Sequence, residues 1–73
     1  MDPRIEQAIS LRAAGEYEQS RDLLRTLTTL PTLKAEALLN IAWSYDNQGL
    51  EETAAEYYLA ALNEGLEGDN LFE

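Results

Sequence analysis

The sequence predicts an all-α protein built from short antiparallel helical hairpins, and three observations carry that prediction. Helix-forming residues dominate, with glycine and proline standing only as punctuation between them. No stretch alternates apolar and polar residues as a strand would, and the chain contains no valine. A shift of 34 residues superimposes Gly15 on Gly49, Ala8 on Ala42 and Ser20 on Ala54, so small residues recur where helices pack closely or turn sharply.

The elements follow in order. Asp2-Pro3 is an N-cap followed by proline at the first helical position, and the first helix runs from there to about Ala14, stopping at Gly15. Glu16 to Leu30 reads as a second helix, with Leu23, Leu24, Leu27 and Leu30 at helical spacing and Pro31 as its stop. Thr32 is placed to cap a third helix, from about Leu33 to Gln48, closed by Gly49. The fourth runs from about Glu51 to Asn63 and closes at Gly65; Glu51 and Glu52 suit the positive end of its dipole. In the 34-residue frame Pro31 meets Gly65, so both second helices are expected to end at one offset. Gly68-Asp69 offers a further break, and Asn70 to Glu73 looks like the start of a fifth helix.

Composition narrows function. With 73 residues, no Cys and no His, the chain has neither disulfides nor imidazole chemistry, and stability must come from packed helices or a partner. The opening Met1-Asp2-Pro3-Arg4-Ile5-Glu6 is unlike a secretion signal, and the longest apolar stretch, Tyr57 to Leu62, is too short to span a membrane. The expected location is the cytoplasm. Net charge is −9. Residues 1–34 hold all five bases (Arg4, Arg12, Arg21, Arg25, Lys34) and five acids, whereas residues 35–73 hold nine acids and no base. Such a surface disfavours nucleic acid and anionic membrane, and favours a basic partner or simply a solvated acidic face.

No catalytic set appears. Ser10, Ser20 and Ser44 have no His or Cys companion. The carboxylate pairs Glu51/Glu52 and Asp46/Glu51 read as solvated acids on a helix surface. Glu64, Glu67 and Asp69 near Gly65 and Gly68 could be imagined as oxygen ligands, but the twelve-residue calcium-loop pattern is missing, and helix stop and restart explains them. No metal, no cofactor and no enzyme activity are expected.

The segment Ala35 to Gly68 gives Leu38-x2-Ile41-Ala42-x2-Tyr45, then Ala54-x3-Tyr58, with the turn at Gly49. This resembles a tetratricopeptide repeat, whose pattern is W-x2-L-G-x2-Y, A-x3-F and P over 34 residues. Leu38 stands for the aromatic, and Leu66 for the closing proline. Residues 1–34 give a weaker copy, Arg4-x2-Gln7-Ala8-x2-Leu11 and Ser20-x3-Leu24, with the polar outer helix a terminal repeat needs. The resemblance implies a right-handed solenoid of repeat one (1–34), repeat two (35–68) and a truncated third (69–73). It also implies Tyr45 and Tyr58 between hairpins, and a concave groove that receives a protein or peptide.

Ile5 and Ile9 lie one turn apart beside the signature stripe, and their 34-shifted counterparts are Leu39 and Trp43. In the family this chain resembles, that side of the first helix lines the concave groove, so the resemblance implies a groove of Ile5, Ile9, Arg12, Leu39, Asn40, Trp43, Asp46 and Asn47, with Asp2 and Glu36 at its edge, and a basic or apolar partner segment as its ligand. Family members that grip acidic tails carry Lys and Asn where Ile5 and Ile9 stand, so no such clamp is implied. The alternative is a structural unit that forms a homo-oligomer through the open end of the fourth helix, using Tyr57, Leu59, Leu62, Leu71 and Phe72.

Overall fold

The computed structural model describes residues 1–65, and these form four helices: α1 (Pro3–Ala13), α2 (Tyr17–Leu27), α3 (Lys34–Asn47) and α4 (Glu51–Asn63). Each packs on the next, giving two helical hairpins, and α1 also touches α3. The fold is all-α, as the sequence predicts. The expected beginning of a third repeat, with Leu71 and Phe72, lies outside the described residues.

The hairpin turns are written in the cap chemistry. Asp2 accepts from the Arg4 backbone N–H at 2.8 Å, and its carboxylate also holds the Arg4 guanidinium at 3.0 Å. Those bonds keep the Asp2 carboxyl below its ordinary range. At the far end Gly15 adopts φ +84°, its N–H reaching the Arg12 carbonyl and the Glu16 N–H reaching that of Leu11. Gly49 (φ +83°) repeats the arrangement on Asp46, with Leu50 on Tyr45. Both turns thus satisfy the last carbonyls of a first helix in the same way.

The junction between hairpins departs from expectation. α2 stops at Leu27, not Leu30, and Thr32 caps nothing. The hydroxyls of Thr26, Thr28 and Thr29 each donate to the carbonyl three residues back, at 2.7–2.9 Å. The backbone tightens with them, Leu30 bonding to Leu27 and Leu33 to Leu30. These local bonds compete with the helical ladder and end it before Pro31 is reached. Leu33, with helical φ and ψ, is the residue before α3 and has no side-chain cap. The two second helices therefore end at different offsets, Leu27 and Asn63.

Ile5, Ala8, Leu24, Leu27, Ala37 and Ile41 form one buried core drawn from α1, α2 and α3, and Tyr45 and Tyr57 pack against it. Each large aliphatic side chain buried there contributes about 2 kcal/mol. Ala8, Ala42, Ala54 and Ser20 are all buried, as the recurrence of small residues requires. Ser20 satisfies its hydroxyl on the Ala8 carbonyl at 2.7 Å. Of the two tyrosines expected between hairpins, Tyr45 fills that place; its neighbour there is Tyr57, stacked at 5.5 Å between ring centroids. Tyr58 instead lies on the flank, its hydroxyl 3.5 Å from Asp46. Tyr57 is accordingly half-buried against the core.

Candidate functional site

A cleft of about 400 Å³ opens where α1 and α3 lie side by side, lined by Met1, Ile9, Thr32, Ala35, Glu36, Leu39, Asn40 and Trp43. Ile9 reaches it from α1. Leu39 and Trp43, one turn apart, reach it from α3. Trp43 keeps 39 % of its surface exposed. Glu36, Leu39 and Asn40 occupy the first half of α3, so one helix supplies an apolar floor with a carboxylate at the rim.

Arg12 contacts two of the lining residues, Trp43 and Asn40. Its guanidinium carbon lies 5.5 Å from the Trp43 ring centroid, and Nη1 donates to Asn40 Oδ1 at 3.4 Å. Asn40 Nδ2 donates to the Glu36 carbonyl at 2.9 Å. The amide is thereby held by two neighbours and the ring is met by one, Arg12, before any ligand arrives.

Of the residues predicted for the groove, the cleft brings together Ile9, Leu39, Asn40 and Trp43, with Arg12 against the last two. Ile5 is not among them. It is fully buried (0 % exposed) in the core between α1, α2 and α3, because the second hairpin covers α1 at that position. Its counterpart Leu39 has no following hairpin over it among the described residues and stays half-open. Asp46 and Asn47 are exposed but do not line the cleft. Asp46 faces Tyr58, whose hydroxyl burial and that nearby carboxylate push above the ordinary phenol range. Sequence reasoning missed Met1, Thr32 and Ala35, which enter only through the tertiary approach of the chain start and the α2–α3 connection.

A second feature had no sequence signal beyond its spacing. Arg21 on α2 is only 6 % exposed. Its Nη1 donates to Ser44 Oγ at 3.0 Å and Gln48 Oε1 at 2.7 Å, and its guanidinium carbon lies 4.0 Å from the Tyr45 ring centroid. Among the described residues it has no carboxylate partner. It ties the second helix of one hairpin to the first helix of the next. Among the described residues no group of three or more acidic, His or Cys side chains gathers as a metal site would, and no helix is long and apolar enough to cross a membrane.

Two stacked hairpins with repeated glycine caps, small residues at the helix contacts and a cleft across the two first helices define a helical-repeat protein. Residues 36–64, almost the whole of α3 and α4, match the tetratricopeptide-repeat family model. Over that segment, which is the second hairpin, the chain is similar to tetratricopeptide-repeat proteins. The repeats of this family are in general protein-interaction folds and not enzymes. Neither the curated proteins nor the solved structures compared with this chain gave a match.

Proposed function

We propose that the cleft between α1 and α3 receives an apolar side chain from an extended or helical segment of a partner protein, with Trp43 as the anchor. The observation that carries this is the convergence of Ile9, Leu39 and a half-exposed Trp43 on one cleft, with Arg12 set against both Trp43 and Asn40. Such a site is mostly apolar with a few fixed polar groups, as peptide and small-molecule sites are. Asn40 has a second amide hydrogen beyond the one given to Glu36, which suits a ligand backbone carbonyl. Glu36 at the rim suits a basic residue beside the apolar one.

The chain has a single tryptophan, so its emission reports on the cleft alone. Peptides selected from a random library on the full chain are expected to shift Trp43 emission on binding. Leu39→Ala is then expected to weaken them by about tenfold, the scale of a lost interface anchor. Selected peptides that bind without changing Trp43 emission, and bind Leu39→Ala unchanged, would refute this reading.

A further inference from the structure

We infer that the outward face of α4 is a second docking surface, separate from the cleft, whose occupant is a basic amphipathic helix of another protein. Glu52, Ala55, Leu59 and Leu62 are spaced three, four and three residues apart, which places them on one side of α4. All four are exposed, Leu59 at 61 % and Leu62 at 39 %. The stripe is about 15 Å long at 1.5 Å per residue, room for about three turns of a partner helix.

The first hairpin shows what this side of a second helix can hold. In the 34-residue frame Ala55, Tyr58, Leu59 and Leu62 correspond to Arg21, Leu24, Arg25 and Thr28. On α2 that side seats α3. Arg21 bonds to Ser44 and Gln48, Leu24 is buried, and Arg25 Nη2 lies 3.5 Å from the Tyr45 hydroxyl. There the seat itself supplies both cations. On α4 both are gone, replaced by Ala55 and Leu59, while the acids flanking them are kept: Glu18 and Asp22 on α2 become Glu52 and Glu56. α4 carries no base, and Lys34, the one base of the second hairpin, is already paired with Glu64 at 3.3 Å. A helix seated on α4 must therefore bring the cations, to Glu52 and Glu56, together with apolar side chains for Ala55, Leu59 and Leu62.

Charge also selects against the two occupants closest at hand. Residues 66–73 add Glu67, Asp69 and Glu73 and no base. A second copy's α4 would set the same acids against each other. On α1 and α2 the exposed Arg4 and Arg25 are held by Asp2 and Asp22 at 3.0 and 2.8 Å.

The test uses the full chain and a synthetic peptide of about 20 residues, long enough to hold a helix, with leucines at three- and four-residue spacing and lysines elsewhere. Its partner probe carries glutamate in place of every lysine. The lysine peptide is expected to perturb backbone amide resonances along 52–63, to bind more weakly as salt is raised, and to lose about tenfold in affinity on Leu59→Ser with Leu62→Ser. Glu52→Gln with Glu56→Gln, which leaves the apolar stripe intact, is expected to flatten the salt dependence. Both substitutions fall on exposed positions, and circular dichroism checks that the helices persist. Equal binding of the glutamate peptide overturns the proposal, as does no binding of either peptide. It is equally overturned by perturbations centred on Ile9, Leu39 and Trp43, which would place the peptide in the cleft. A free chain whose mass by light scattering is a dimer that Leu59→Ser dissociates would give the face to a second copy instead.

Discussion

Arg21 has the most consequential side chain outside the apolar core. A guanidinium taken out of water is tolerated only if its donors and its charge are met, and here two side-chain oxygens and the face of Tyr45 meet them. Because the donors come from α2 and the acceptors from α3 and its C-cap Gln48, the contact fixes how one hairpin sits on the next. Arg21→Ala is expected to cost about 2 kcal/mol, the net worth of a desolvated cation–π contact plus charged hydrogen bonds. Arg21→Lys should cost less, about 1 kcal/mol, since it keeps the charge but loses the planar fork. Equilibrium urea unfolding reads both as a shift of midpoint at constant slope. A loss within about 0.5 kcal/mol for Arg21→Ala, the ordinary range of surface changes, would mean the guanidinium is merely accommodated.

At the scale of the element, the two glycine turns are where sequence and structure agree most closely, and the reason is physical. A residue at φ above +80° meets a backbone penalty that only glycine escapes, so the letter in the sequence and the conformation are nearly the same statement. A Cβ built at Gly49 would meet no atom within 4 Å. The cost of Gly49→Ala is therefore backbone strain alone, about 1–2 kcal/mol, and Gly49→Asn should cost less because asparagine enters the left-handed region more readily. Thermal unfolding followed by circular dichroism ranks the three; alanine no worse than asparagine would show that the turn is not held at that φ. The end of α2 was less legible. Pro31 reads as the stop, but the hydroxyls of Thr26, Thr28 and Thr29 end the helix earlier, and that competition is not visible in propensity. Ile9, Leu39 and Trp43 were legible because helical spacing puts Leu39 and Trp43 on one face of α3, the 34-residue frame matches Ile9 to Trp43, and the family resemblance assigns that side to a groove. Ile5 shares that spacing yet is buried, since which turn of α1 the second hairpin covers depends on packing that no single-helix pattern encodes.

At the scale of the molecule, the uneven charge sets the two hairpins apart. α1 and α2 each end with an arginine in the last turn, Arg12 and Arg25, which complements the negative end of the helix dipole. The last turns of α3 and α4 hold no base, and Asp46 and Glu64 stand near those ends instead. Lys34 relieves Glu64 from across the hairpin, but that pair is exposed and worth under about 1 kcal/mol. The second hairpin therefore carries both self-repulsion and uncompensated dipoles, and it leans on the first through Arg21 and the shared core. Screening should then stabilise the whole fold. Raising sodium chloride from about 10 mM to about 200 mM shortens the Debye length from about 30 Å to under 10 Å, less than the span of α4. A gain of about 0.5 kcal/mol would raise the thermal midpoint by about 2–4 °C for a chain this small. The three ion pairs among the described residues, Asp2–Arg4, Asp22–Arg25 and Lys34–Glu64, pull the other way, and the sign of the shift decides which effect is larger. A midpoint that falls with salt would assign net stability to those pairs and remove the argument that the acidic half is strained by its own charge. A midpoint that rises, and rises less in Glu52→Gln with Glu56→Gln, would locate the repulsion on α4.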